Sequence, residues 1–287
     1  MNLGFIKAGF SRPEKPAFFD RYLSWLSSKK NAGMSWMERN NEIRQDPGLL
    51  LEGCSAIISL AYPYPAKKPF TADGCCVARY SLPHQEDYHR RLRKLCNSLC
   101  DMIKEYFPEC STRICIDSAP ILERSYAYSA GIGFIGKNNM VIIPGYGSFF
   151  YLAEILTTAP IVLTEEKPVK NLCGSCTLCL DACPSGALER AYSIDASRCL
   201  SYLTVEDKEP LTREQGKKAG RCFFGCDVCQ EVCPFNKKEE TKDFSLPSAK
   251  DILEMDNDFF REKYGVSALY RTGLEKIKSN IRAVTLD

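Results

Sequence analysis

The stretch CGSCTLCLDACPSGA, residues 173–187, sets four cysteines in a C-x2-C-x2-C-x3-C-P pattern, and a second, partial copy, CDVCQEVCPFN, follows at residues 226–236. In such a run three thiolates on one tight loop bind three corners of a [4Fe–4S] cube, while the fourth, leaving behind its proline, ligates the other cube. The pairing is therefore crossed. Cys173, Cys176 and Cys179 are expected to hold one cluster with Cys233, and Cys226 and Cys229 the other with Cys183. One ligand is still wanting. Cys222 is close in sequence, but three residues separate it from Cys226 and break the C-x2-C rhythm; Cys199, in DASRCLSYLT, would come from between the motifs. Spacing leaves both open and mildly disfavours Cys222.

Other uses of the cysteines fit less well. A zinc site wants four ligands as two C-x2-C knuckles, not paired C-x3-C-P endings. A disulfide framework belongs to an oxidising compartment and usually to a short secreted chain, and MNLGFIKAGF does not read as a signal peptide. The 16 cysteines thus point to reduced thiols and cluster ligands in the cytoplasm. Cys96 and Cys100, one helical turn apart, read as buried helix-face residues, because free cysteine packs as a small hydrophobe.

The chain of 287 residues is long enough for more than one domain, and an apolar fraction of 45% supplies a core. A net charge of +2 argues against a broad nucleic-acid-binding surface, so any RNA contact would be local. No apolar stretch approaches the roughly 20 residues of a membrane helix.

Residues 1–165 alternate helical and strand signals and are predicted to form an α/β domain. FFDRYLSWLSSKK places Phe19, Tyr22, Leu23 and Leu26 on one helical face, SAIISLAY reads as a buried strand, and a helix is expected from about Asp87 to Tyr106. TRICI, NMVII and SFFYLAEILT read as further strands. TEEKPVK is the linker to a ferredoxin-type double-cluster domain at residues 166–240, and a short helical segment, 241–287, follows a charged connector. The fold class is thus mixed, α+β or α/β.

A two-cluster ferredoxin needs only part of this length, so something else is being reduced. The candidate site lies in IDSAPILERSYAYSAGIGFIGKNN. Asp117 falls where a strand is expected to end and a helix to begin, with Ser118 as a possible cap and Pro120 in the first turn. An aspartate there is most often a cap or dipole partner, but strand ends are also where α/β folds place ligand chemistry. Gly131, Gly133 and Gly136 spell G-x-G-x-x-G. They follow a helix and lead into a strand, the reverse of a dinucleotide fingerprint; Gly131 would close the helix, and the rest would be a loop near something bound. His84 and His89 form no metal-ligand pair.

Taken in order, RYSLPHQEDYH, DSAPILERSYAYSAGIGFIGKNN, GSFFYLAEIL, the two cysteine blocks and DASRCLSYLT resemble the epoxyqueuosine reductases, corrinoid iron–sulfur enzymes that complete queuosine in tRNA. The similarity runs from about Gly4 to the end. The resemblance implies Cys199 as the eighth ligand. It also implies a cobalamin between the α/β domain and the cluster domain, on a fold similar to the corrinoid-binding part of reductive dehalogenases. The D-x-H-x-x-G signature of His-ligated corrinoid proteins is absent, in keeping with a cofactor bound without a histidine on cobalt.

By the same resemblance Asp117 is the proton donor, with a pKa expected to be raised toward neutrality, and Arg44 contacts the cofactor. Ser118, Arg124, Lys137 and Asn138 lie in the motif that lines it; Ser201 and Asp227 lie beside ligand cysteines where the family contacts the corrin; His89 lies near the substrate pocket. The implied partners are tRNA carrying epoxyqueuosine and an electron donor such as a ferredoxin or flavodoxin, with no membrane. Members of the family commonly have a further helix before LGFIKAGF and helical repeats after KSNIRAVTLD, neither of which is in these residues. The basic run DKEPLTREQGKKAGR is an alternative grip on phosphates, although such a run is usually a solvated face. Two other functions are consistent with the sequence: a corrinoid iron–sulfur reductase of a non-tRNA substrate, and a two-cluster electron carrier.

Overall fold

The computed structural model describes residues 3–65, 67–83, 85–163, 167–236 and 243–285. His84, residues 164–166 of the expected linker and residues 237–242 of the connector lie outside them. Ten strands occur in chain order among the described residues: β1 (Lys7–Ser11), β2 (Ala56–Pro63), β3 (Pro69–Thr71), β4 (Cys76–Val77), β5 (Thr112–Cys115), β6 (Phe134–Ile135), β7 (Val141–Ile142), β8 (Phe150–Thr157), β9 (Cys222–Phe224) and β10 (Asp243–Leu246).

The first sheet has the order β1-β2-β8-β5 with every pairing antiparallel. A continuous apolar run such as AIISLAY ordinarily marks a parallel sheet covered on both faces. Here the sheet is antiparallel and is nevertheless covered on both. Ile58 and Leu60 pack with Leu92, Cys96 and Cys100 of the long helix Tyr88–Tyr106, whereas Ile57 and Leu156 pack with Tyr126 of the short helix Glu123–Ser129. This half is therefore α+β in its pairing, so the rule about carboxyl ends of parallel strands does not place Asp117. Gly9 permits the short helix to close on β1, since a Cβ there would lie 2.0 Å from the Ala130 carbonyl oxygen.

A second sheet, β10-β3-β4-β9, draws its strands from both ends of the chain. Its core joins Val77, Leu200, Leu203, Phe223 and Phe224 to Ile252, Phe260, Tyr264, Leu269, Ile277 and Ile281 of the C-terminal helices. The segment after residue 240 is accordingly part of the packing of the cluster half, where a separate tail was expected. Asn280, fully buried in helix Leu274–Thr285, fixes the match by donating to the Thr204 and Phe223 carbonyls at 2.8 and 3.0 Å.

Arg79 ties this sheet to the second cysteine run. Its backbone N–H and guanidinium both donate to Asp227, which is 1% exposed, and the guanidinium also meets Glu231. Removing one partner of a buried pair leaves an uncompensated charge, at a cost of about 3–5 kcal/mol. Arg79→Met should lose stability of that size in denaturant unfolding; a loss below about 1 kcal/mol would mean that Asp227 finds other support.

Candidate active site and cluster loops

The two cysteine runs fold alike, each through one short helical turn, Leu178–Asp181 and Val228–Glu231. Their thiols fall into two groups. Cys179 lies within electrostatic reach of Cys173, Cys176 and Cys233, and Cys233 within reach of Cys173 and Cys176. Cys229 interacts with Cys226, Cys199 and Cys183, and Cys199 with Cys183. The groups are within electrostatic reach of each other, for Cys229 also feels Cys179. All eight thiols are half-buried. Cys222 belongs to neither group. It is buried in β9, paired in register with Cys76 of β4, and its Sγ donates to the Gly225 carbonyl at 3.5 Å.

The GKNN segment holds both runs. Lys137 Nζ donates to the Gly174 and Cys176 carbonyls, each at 2.8 Å, and Asn138 Nδ2 donates to the Cys229 carbonyl at 3.0 Å. Gly131, with φ of 67°, closes the short helix as expected. Gly133 approaches not a ligand but the chain itself, because a Cβ there would lie 2.4 Å from the Ile142 carbonyl oxygen in the β6-β7 hairpin.

Asp117 follows β5 but does not cap a helix. The helix begins at Glu123, and the Ser118 hydroxyl donates back to the Ile116 carbonyl. Asp117 adopts φ of 53°, a left-handed conformation that aspartate tolerates better than most residues. This turn sends its carboxylate to the start of the long helix. There the Tyr88 hydroxyl donates to Oδ2 at 2.8 Å, and His89 Nε2 lies 3.1 Å from the same oxygen. His89 Nδ1 lies 2.7 Å from Asp87 Oδ1, and Arg271 of the C-terminal half pairs with Asp87 Oδ2 at 3.3 Å. For His89 to donate to both carboxylates, both ring nitrogens must carry protons. The tyrosine is fixed by stacking on Tyr151, with ring centres 4.4 Å apart and 6° between planes.

The charges divide accordingly. Burial acts to raise the Asp117 carboxyl, but the bonds from His89 and Tyr88 and the charges of His89 and Arg271 outweigh it and hold it below the usual range. Burial acts against the His89 cation, yet its bonds to Asp117 and Asp87 keep its pKa above the ordinary value. The raised carboxyl is instead Glu123, pushed up to about 8 by burial and by the charge of Asp117. The expectation for Asp117 is thus corrected: it rests ionised, beside groups that hold protons. Its side chain is 58% accessible, so the carboxylate is open to a bound molecule.

The other candidates are less directly placed. Arg124 donates to the Asn139 carbonyl at 2.8 Å. Arg44 is buried, donates to the Arg39 carbonyl and sits 5.9 Å from the Tyr22 ring centre, so its guanidinium serves its own turn. Ser201 is half-buried in helix Leu200–Val205. Asp227 is occupied by Arg79, and with Lys68, Phe70, Leu200 and Cys226 it lines a cavity of about 560 Å³ beneath the second cysteine run. Tyr80 packs against the cores of both halves, beside Phe224 of β9, and its hydroxyl feels the charges of Asp227, Arg271 and Asp117. Tyr88, Asp87, Glu123 and Arg271 were not singled out by sequence reasoning. The first two flank His89 in EDYH, the signal that could have found them.

Comparison with known proteins fits this arrangement. A family model described as "4Fe-4S double cluster binding domain" matches residues 172–236, and one described as "Epoxyqueuosine reductase QueG, DUF1730" matches residues 44–118. An epoxyqueuosine reductase from Leadbetterella byssophila is 34% identical over 98% of this chain and 92% of its own length. The chain belongs to the epoxyqueuosine reductase family. Within the family, the Escherichia coli K12 enzyme is 35% identical over 95% of this chain and 75% of its own. The Streptococcus thermophilus epoxyqueuosine reductase structure superposes with a TM-score of 0.88 at 30% identity, covering 99% of this chain and 78% of that one. A family structure with an epoxyqueuosine-modified tRNA-Tyr stem loop superposes with a TM-score of 0.85 at 33% identity over the same shares.

Proposed function

We propose that this chain reduces epoxyqueuosine to queuosine in the anticodon loop of tRNA, with two [4Fe–4S] clusters as electron stores and a cobalamin that would be held beside Asp117. Family membership supports the substrate, and a relative bound to an epoxyqueuosine-modified stem loop supports tRNA as its carrier. The observation that carries the reading is the exposed, ionised carboxylate of Asp117 bonded by Tyr88 and His89. An electron carrier has no use for such a constellation.

In this reading Cys173, Cys176, Cys179 and Cys233 hold one cluster and Cys183, Cys199, Cys226 and Cys229 the other, an assignment supported by the two thiol groups. The residues also suit a corrinoid. Both nitrogens of His89 are engaged by carboxylates, leaving that ring no lone pair for cobalt, and a cavity of about 560 Å³ with apolar and charged lining would take part of so large a group. The rest of it would extend toward Asp117; Arg124, Ser118 and Ser201 would line it, with Lys137 and Asn138 bracing the cluster loops against it. When bound, a corrinoid supplies a strongly reducing metal centre, which the protein orients and shields.

Opening and deoxygenating the epoxide consumes two electrons and two protons and releases water, leaving a carbon–carbon double bond. Because Asp117 rests ionised, a proton would first pass to it from His89 through the bond at Oδ2, and Asp117 would hand it to the departing oxygen; the second proton of the water and the one that recharges His89 come from solvent. Arg271, through Asp87, holds the His89 ring in register. An extruded base would come to lie beside Asp117, and phosphates would meet basic side chains such as Lys217 on helix Arg213–Ala219. The donor would be a low-potential ferredoxin or flavodoxin in the cytoplasm; no described helix is long and apolar enough to cross a membrane.

The test is anaerobic turnover of the cluster- and cobalamin-loaded protein with tRNA carrying epoxyqueuosine, digested and weighed by mass spectrometry. Loss of one oxygen from the modified nucleoside is expected. Unchanged epoxyqueuosine with both cofactors in place would send the search to small reducible substrates.

A further inference from the structure

Two of the cysteines that the clusters do not claim share one surface. Cys76 of β4 and Cys222 of β9 lie opposite each other in register in the second sheet, and the Cys76 N–H donates to the Arg221 carbonyl at 2.8 Å. Neighbouring strands run about 4.8 Å apart, and side chains in register leave the sheet on the same face. That spacing falls inside the window of roughly 4.4–6.8 Å between Cα atoms that a disulfide spans. Both residues line the cavity of about 560 Å³ beneath the second cysteine run, together with Lys68, Arg79 and Glu231. Cys75, one residue earlier, alternates to the opposite face and packs in the apolar core with Val77.

The surroundings make the two thiols unlike. Cys222, whose Sγ lies 3.5 Å from the Gly225 carbonyl and which also bonds with the Cys76 sulfur, has acceptors for its proton on both sides. Cys76 faces the ammonium of Lys68, which is itself bonded to Glu231 at 3.1 Å. The bond from Cys222 and the charge of Lys68 outweigh burial and the charges of Glu231 and Asp227, and hold the Cys76 thiol below its ordinary value. Burial instead pushes the core thiols of Cys96 and Cys115 up to about 12. The thiolate is the reactive form of cysteine, and a neighbouring lysine favours it.

We propose that Cys76 and Cys222 form an oxidisable dithiol, in which Cys76 reacts with a small hydroperoxide entering the cavity and Cys222 resolves the product to a disulfide across β4 and β9. In the first step the Cys76 sulfur attacks one peroxide oxygen. An S–O bond forms, the O–O bond breaks, and the departing oxygen takes a proton from solvent; from hydrogen peroxide it leaves as water. In the second step the Cys222 sulfur displaces the hydroxyl from Cys76, an S–S bond replaces the S–O bond, and the hydroxyl leaves as water with the Cys222 proton. The two sulfurs lose two electrons in all, and the two peroxide oxygens gain them. The cross-link ties the strand that leads to Arg79 to the strand that leads to Cys226.

The experiment treats protein carrying both clusters, before and after cobalamin is supplied, with equimolar hydrogen peroxide under anaerobic conditions. Samples are quenched with acid and an alkylating reagent, digested and weighed by mass spectrometry, while cluster absorbance is followed in parallel. The expected product is a pair of peptides joined through Cys76 and Cys222, two hydrogens lighter than the separate thiols. It should appear while the clusters are intact, at least about tenfold faster than any product at Cys96 or Cys115, and dithiothreitol should return both thiols. Cys222→Ser should stop the reaction at a Cys76 sulfenic acid that dimedone captures, and Cys76→Ser should leave Cys222 unmodified; iron content shows that each variant has folded around its clusters. Thiols at 76 and 222 that stay open to alkylation in the wild type until the clusters bleach, in both forms of the protein, would overturn the inference. So would a sulfenic acid captured at Cys222 in Cys76→Ser with none at Cys76 in Cys222→Ser. The readout is mass and not turnover, so it is independent of the reading of Asp117.

Discussion

Asp117→Ala is expected to bind both clusters and cobalamin normally yet to lose about 10²–10⁴-fold in single-turnover rate, the usual contribution of a general acid. The substitution removes a carboxylate that meets both the Tyr88 hydroxyl and His89 Nε2, and among the described residues no bond from the Asp117 side chain reaches the cysteine runs. His89→Gln should fall in the same direction, because Asp117 rests ionised and depends on a protonated neighbour. The sign of the pH dependence follows. A histidine pKa above its ordinary value keeps the ring charged to higher pH, so the wild-type rate should hold through neutrality and decline as His89 loses its proton; Asp117→Ala should be slow throughout. Near-normal turnover in Asp117→Ala would remove Asp117 from proton delivery and leave the Tyr88 hydroxyl as the nearest donor.

The second large effect concerns the eighth thiol. Cys199→Ser should lose roughly half of the bound iron and sulfide, because a [4Fe–4S] cube with three thiolates is held far less securely than one with four. Cys222→Ser should keep all of it. Cys199 shares its surroundings with Cys183 and Cys229, while Cys222 is committed to the Cys76 register and to backbone acceptors. Retention of both clusters in Cys199→Ser together with loss in Cys222→Ser would reverse the assignment. Iron content and the low-temperature magnetic spectrum of the reduced protein distinguish the cases.

Local chemistry was the legible part of the sequence. Cysteine spacing is set by a loop wrapped on a cube, so the two groups of four could be written down except for the ligand supplied from outside the motifs. The apolar runs of β2 and β8 and the amphipathic helix Tyr88–Tyr106 were equally plain. Strand direction was not, because a run such as AIISLAY records burial on two faces and not the polarity of its neighbours. The C-terminal helices read as a tail because their partners, Phe223 and Phe224 among them, are distant in sequence.

At the site, the rise expected in the pKa of Asp117 is the reverse of what its surroundings impose. A carboxyl at a strand end gives no sign of a histidine nearly thirty residues earlier or of Arg271 far downstream, and these lower its pKa against the pull of burial.

The central claim is that electrons held by the two cysteine groups reach epoxyqueuosine at Asp117. Its most direct test is to reduce the clusters of the loaded protein, remove the reductant, add tRNA carrying epoxyqueuosine, and follow cluster oxidation and nucleoside mass in the same sample. The account predicts two electrons withdrawn from the clusters for each queuosine formed in the wild type, with both events suppressed in Asp117→Ala. Clusters that stay reduced while queuosine forms, or that oxidise at the wild-type rate without forming it, would contradict the account.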